Sequence, residues 1–143
     1  TALENFLFYA KLYGLDDPEK RANESIREAG LQLRSHDPVR TYSRGMQQRM
    51  AIARATLHDP SVLFLDEPFT GLDLRATNAL KNHLHNLHTG KRTIIMTTHD
   101  ISCGLEMCDK VAIQHKGKFL LLESVDKIDR ENFENFYTEI LEK

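Results

Sequence analysis

The sequence predicts an α/β fold: a helical region leading into part of a parallel sheet with flanking helices, closed by a C-terminal hairpin. Three observations carry this. Through the first 58 residues apolar positions recur at helical spacing, with no convincing strand among them. Beyond Asp59-Pro60, short apolar runs at Val62 to Leu65 and Thr93 to Thr97 alternate with amphipathic stretches, as expected of strands joined by helical crossovers. Near the end, Val111 to Gln114 and Phe119 to Leu122 flank Lys116-Gly117, a hairpin pattern.

Taken in order, Thr1 with Glu4 resembles a capping box, and Leu3, Phe6, Leu7, Ala10 and Tyr13 make one apolar face. Gly14 and Asp16-Asp17-Pro18 punctuate. A second helix is expected from Pro18 to about Ala29, with Ala22, Ile26 and Ala29 inward and Gly30 as its stop. His36-Asp37-Pro38 reads as a loop, after which Ser43 caps a third helix with Met46, Met50, Ala53 and Leu57 on one side. Val62 to Leu65 is a continuous apolar run, expected of a strand buried on both faces. The next helix spans about Leu74 to His88, with Ala76, Leu80, Leu84 and Leu87 as its stripe. Thr93 to Thr97 is expected to be a second buried strand, followed by a helix with Ile101, Leu105 and Cys108 facing in. Phe133, Phe136, Tyr137, Ile140 and Leu141 mark a short amphipathic tail helix. The division expected is 1–58, helical, and 59–143, the sheet-bearing part.

Composition sets outer limits. With 143 residues, 41% hydrophobic and 28% charged, the chain is that of an ordinary soluble domain. A net charge of −2 argues against nucleic-acid binding through overall electrostatics. Cys103 and Cys108 fit neither a CxxC motif nor a disulfide framework, so a reduced compartment is the simplest reading. No apolar run approaches the roughly 20 residues that span a bilayer, so a role at a membrane needs another chain or segment.

Four segments carry chemistry. In Val62-Leu63-Phe64-Leu65-Asp66-Glu67-Pro68 two carboxylates stand at the C-terminal end of a parallel strand, where open α/β sheets bind ligands. Asp66 is placed to hold Mg²⁺ directly or through water, and Glu67 to polarise an attacking water. A strand that simply ends in a polar loop has the same local pattern. Tyr42-Ser43-Arg44-Gly45-Met46 opens a helix whose unpaired N–H groups form an anion site; alone, it is also an ordinary Ser-capped helix. Thr97-Thr98-His99-Asp100 puts an imidazole after the second strand. Thr70-Gly71-Leu72-Asp73 is, by itself, a turn with an N-capping Asp.

Taken in chain order, the four segments resemble the signature, Walker B, D-loop and switch-histidine landmarks of ABC ATPases, and the resemblance covers essentially the whole chain. It implies a helical subdomain followed by part of a P-loop NTPase (RecA-like) core. It also implies head-to-tail pairing with a second nucleotide-binding domain around ATP and Mg²⁺, and a peripheral place on the cytoplasmic face of a membrane, against a transmembrane permease subunit. Asp66 would be the Mg²⁺-linked carboxylate, Glu67 the catalytic base and His99 the switch histidine at the γ-phosphate. Ser43 and Gly45 would reach the nucleotide held by the partner domain, and Asp73 would belong to the loop joining the two sites.

Three features depart from the family pattern or narrow it. The signature reads Tyr-Ser-Arg-Gly-Met where many members have Leu-Ser-Gly-Gly-Gln, a variant similar to exporter-type ATPases with separate membrane subunits. No Gly-x-x-x-x-Gly-Lys-Ser/Thr occurs among the seven scattered glycines, so the 143 residues are expected to bind ATP weakly and hydrolyse none alone. The segment before the signature carries no long heptad insertion, which disfavours DNA-repair and chromosome-organising relatives. The alternative is a soluble ABC-family ATPase acting on ribosomes or nucleic acid, which near-neutral charge and a compact helical region disfavour. Phe6, Phe8, Tyr9 and Tyr13 are candidates for contact with the membrane subunit, with core packing the competing role for Phe6 and Tyr13. His83 and His85 point about 200° apart on a helix and cannot share an ion, although His85 and His88 could.

Overall fold

The computed structural model describes residues 1–88 and 92–141. The chain packs as two compact units, Thr1–Thr97 and Thr98–Lys143.

In the first unit α1 spans Ala2–Leu12 and begins with the full capping box between Thr1 and Glu4. Helix α2, Pro18–Glu28, starts where the Asp17 side chain accepts the Lys20 N–H and Pro18 takes the first turn, where no donor is lost. It ends through Ala29 and Gly30, whose φ of +66° needs no Cβ. Helix α3, Arg44–Ala55, is capped by Ser43. The three helices bury Phe6, Ala22, Ile26, Leu31, Met50 and Leu57 in one core, with Tyr42 closing it by donating its hydroxyl to the Arg34 carbonyl at 2.6 Å. Full burial of a side chain such as Phe6 contributes about 1.5–3 kcal/mol.

The sheet part follows with β1 (Val62–Asp66), α4 (Leu74–Leu87) and β2 (Thr93–Thr97). The strands pair in parallel with Phe64 opposite Ile95 and Asp66 opposite Thr97. Side chains alternate along a strand, so Leu63 and Leu65 turn inward while Val62, Phe64 and Ile95 share the other face. That face is open: Phe64 is 73% exposed and Ile95 46%. The expectation of strands buried on both faces is therefore corrected. A run of apolar residues does not reveal which face lacks a covering layer. Arg92, unremarkable in sequence, ties the strand starts together: its Nε donates to the Pro60 carbonyl at 2.9 Å and its Nη2 meets Asp59, which adopts a φ of +53°.

Helix α3 crosses α4 at very short range. A Cβ built on Gly45 would lie 2.6 Å from the Ala76 Cβ. Further along the two helices, Arg49 donates to the Ala29 carbonyl at 2.7 Å, and His83 is 5% exposed on α4. His83, which the helical spacing already sets apart from His85, is a core histidine bonded to the Glu28 main chain, with no partner for its Nε2 among the described residues.

The second unit holds α5 (Ile101–Met107), the antiparallel pair β3 (Lys110–His115) and β4 (Lys118–Ser124), and α6 (Phe133–Leu141). Lys116 and Gly117 both have positive φ, +46° and +77°, the requirement of a tight type I′ hairpin turn. Leu105, Ile113, Val125 and Phe133 form its core. Cys108 falls at the end of α5 and is half-buried, not on an inward helical face. No helix among the described residues is long and apolar enough to cross a membrane.

Burial pushes the His83 pKa down, and the Arg49 charge adds to this against the Glu28 bond. The unfolded chain therefore binds this proton more readily than the native one, and stability falls as pH drops below about 6.5, the ordinary histidine value. Melting curves between pH 7.5 and 5.5 should show His83→Gln losing less of its midpoint than the parent; identical slopes would exclude His83 as a source of the dependence.

Candidate functional site

The acidic pair stands where β1 ends. Alternation puts Asp66 on the open face beside Thr97, its register partner, and the Thr97 hydroxyl donates to Asp66 Oδ1. Glu67 leaves the strand with a φ of +46°, a conformation that non-glycine residues seldom adopt. Its N–H is shared between the Thr97 carbonyl at 3.1 Å and the Thr97 hydroxyl at 3.3 Å. On the other side, the Thr70 hydroxyl donates to Glu67 Oε2 at 3.1 Å, and the Thr70 N–H closes a turn onto the Glu67 carbonyl. The Asp66 carboxylate is exposed and Glu67 half-buried. Asp66 thus faces outward at the strand end, held by a hydroxyl.

The loop after this turn keeps Gly71 at a φ of +73° and then Asp73, which caps α4 by accepting the Ala76 N–H at 2.7 Å. Ser43 caps α3 in the same manner, accepting from Met46 at 3.3 Å. The two helix starts lie side by side because Gly45 abuts Ala76. Arg44, one of the residues that depart from the family pattern, covers Gly71: a Cβ there would fall 2.6 Å from Arg44 Nη1. Ser43, Gly45, Asp66, Glu67 and Asp73 therefore belong to one packed unit. Gly45 is buried, so the close helix crossing is itself a reason for a glycine at this position.

His99 belongs to the second unit, exposed, two residues beyond β2 and just before Asp100, which caps α5 by accepting from Cys103 at 2.9 Å. Sequence reasoning did not single out Thr70 or Thr97 individually, although both lie inside the segments it identified. Thr70, three residues after Glu67, carried a local signal, whereas Thr97 is brought to Asp66 only by the strand register.

The strand end offers exposed carboxylate oxygen, engaged at one atom by a hydroxyl, and no soft donor, which is the donor chemistry that Mg²⁺ takes; no group of three or more His, Cys, Asp or Glu side chains is gathered for a metal ion among the described residues. The first turn of α3 offers main-chain N–H groups and a positive helix end, suited to an anion.

A sequence model of the family described as ABC transporter matches residues 1–70. Among curated relatives, a fluoroquinolones export ATP-binding protein of Mycobacterium tuberculosis is 39% identical over 126 residues, which is 87% of this chain and 40% of that protein. The ABC transporter ATP-binding protein NatA of Bacillus subtilis is 33% identical over 141 residues, 95% of this chain and 57% of the relative. The bacitracin transport ATP-binding protein BcrA of Bacillus licheniformis is 37% identical, over 92% of this chain and 43% of the relative. A solved structure of the ATP-binding subunit of an ABC transporter superposes with a TM-score of 0.79 at 29% identity, covering 98% of this chain and 62% of its own. The chain thus spans between 40% and 57% of the length of these curated relatives. By sequence and by fold it belongs to the ABC transporter ATP-binding family.

Replacing Gly45 by Ala should destabilise the first unit by about 1–3 kcal/mol through overpacking against Ala76. Adding Ala76→Gly should recover most of the loss in denaturant titrations; a neutral Gly45→Ala would show that the helices part without cost.

Proposed function

We propose that this member of the ABC ATP-binding family contributes the hydrolytic half of an ATP site to a transporter, of the exporter type. The observation that carries the reading is the acidic pair at the end of β1, with each residue oriented by a threonine hydroxyl. Asp66 would hold Mg²⁺, directly or through water, and the ion would offset phosphate charge when bound. Glu67 accepts a proton from water attacking the γ-phosphate, and the Thr70 hydroxyl orients its carboxylate for that role. His99 contributes a ring N–H at the γ-phosphate. Ser43 and the N–H groups near Gly45 bind the phosphates of the nucleotide carried by a second, head-to-tail domain, and Asp73 fixes the loop between the paired sites.

Relatives named for fluoroquinolones export and bacitracin transport support the transport reading, and the first of them supports the export direction. A permease subunit and a position on the cytoplasmic face of the membrane follow from it. The surface of α1 suits such a contact: Phe8 is 62% exposed, and Tyr9 and Tyr13 continue a ring stack onto His58, with Arg54 over Tyr9 at 4.7 Å. Phe6, by contrast, is spent in the core.

In the complete protein, Glu67→Gln should lower ATP turnover by about 10²–10⁴-fold while bound ATP persists in filter binding. Normal steady-state turnover in that variant would remove Glu67 from the role of base. The 143 residues alone contain no phosphate-cradling glycine loop, and titration calorimetry should detect only weak ATP binding to them. Tight, Mg²⁺-dependent binding would show that the chain holds nucleotide by other means.

A further inference from the structure

We infer that Thr97 is the positioning residue of the acidic pair, its single hydroxyl setting the orientation of Asp66 and the backbone of Glu67 together; the inference rests on the function proposed above. A threonine hydroxyl has one proton to give and lone pairs to receive with. Here the proton goes to Asp66 Oδ1, so the oxygen is left as an acceptor, and the Glu67 N–H points at it from 3.3 Å. The chain amide, hydroxyl, carboxylate has one direction only, and each link polarises the next. The Thr97 carbonyl adds a second acceptor for the same N–H at 3.1 Å.

The arrangement depends on the register. Thr97 faces Asp66 across the ladder, so the two side chains emerge on the same face. A one-residue slip would send the hydroxyl to the opposite face and break both bonds. Glu67 needs the support because its φ of +46° is costly for a residue with a Cβ. With its N–H anchored, the main chain turns there, and the side chain departs in the direction in which Thr70 meets it. One side chain on β2 thereby determines which oxygen of Asp66 is occupied and where Glu67 begins its turn. The neighbouring Thr98 spends its hydroxyl elsewhere, accepting the Asp100 N–H at 3.1 Å.

The test compares Thr97→Val and Thr97→Ser with the parent in the complete protein. Without nucleotide, amide hydrogen exchange at Glu67 should be faster in Thr97→Val and close to the parent in Thr97→Ser. With ATP, Thr97→Val should lose about 10–100-fold in turnover, at little change in KM for ATP, and need more Mg²⁺ for half-maximal rate; Thr97→Ser should recover both. Parental exchange and turnover in Thr97→Val would overturn the inference. So would an equal loss in Thr97→Ser, which would assign the effect to the methyl group and to packing. A parent protein that hydrolyses no ATP would overturn the proposed function instead, and the exchange comparison alone would then decide whether Thr97 holds the pair.

Discussion

Gly45 and Ala76 meet where a Cβ on the first would lie 2.6 Å from the Cβ of the second, and the arrangement of the first unit depends on this contact between α3 and α4. It brings the start of the Ser43-capped helix beside the start of the Asp73-capped one, and so sets the N-terminal end of α3 next to the loop that follows the acidic strand. Two arginines on α3 reinforce the placement: Arg44 lies over Gly71 and Arg49 reaches the carbonyl of Ala29. A larger residue at position 45 would push the helices apart and separate features that are close only because nothing stands between them.

Much of the fold was legible because local chemistry and long-range packing agree. The capping residues Thr1, Asp17, Ser43, Asp73 and Asp100 all begin helices, and Lys116-Gly117 makes the turn its composition announces. The parallel pairing of β1 and β2 followed from strand, helix, strand order. Illegible was anything set by contacts distant in sequence. Burial of Val62 and Phe64 depends on what covers their face, and apolar character alone does not supply that. The fate of His83 depended on the C-terminal end of α2 arriving beside it. Arg92, with its head on the carbonyl of Pro60, had no sequence signal at all.

The candidate site divides in the same way. Asp66 and Glu67 were visible as an acidic ending to an apolar run, but how they are held was not. The bonds from Thr97 and Thr70 span 31 and 3 residues. The short one follows from a turn, whereas the long one exists only once the strands are in register. The acidic residues are oriented by hydroxyls rather than by burial, so they stay accessible to water and ions while their geometry is fixed.

The open face of the two strands has a practical meaning for anyone handling these 143 residues. Val62, Phe64 and Ile95 form an apolar surface next to exposed Asp66, and such surfaces associate in water. Protein concentration then becomes an experimental variable in its own right: light scattering, mild detergent or dilution would reveal whether a signal comes from single molecules or from clusters. A charged residue in place of Phe64 offers a route to a monodisperse sample, since that side chain adds little to the inward core while contributing much of the sticky surface.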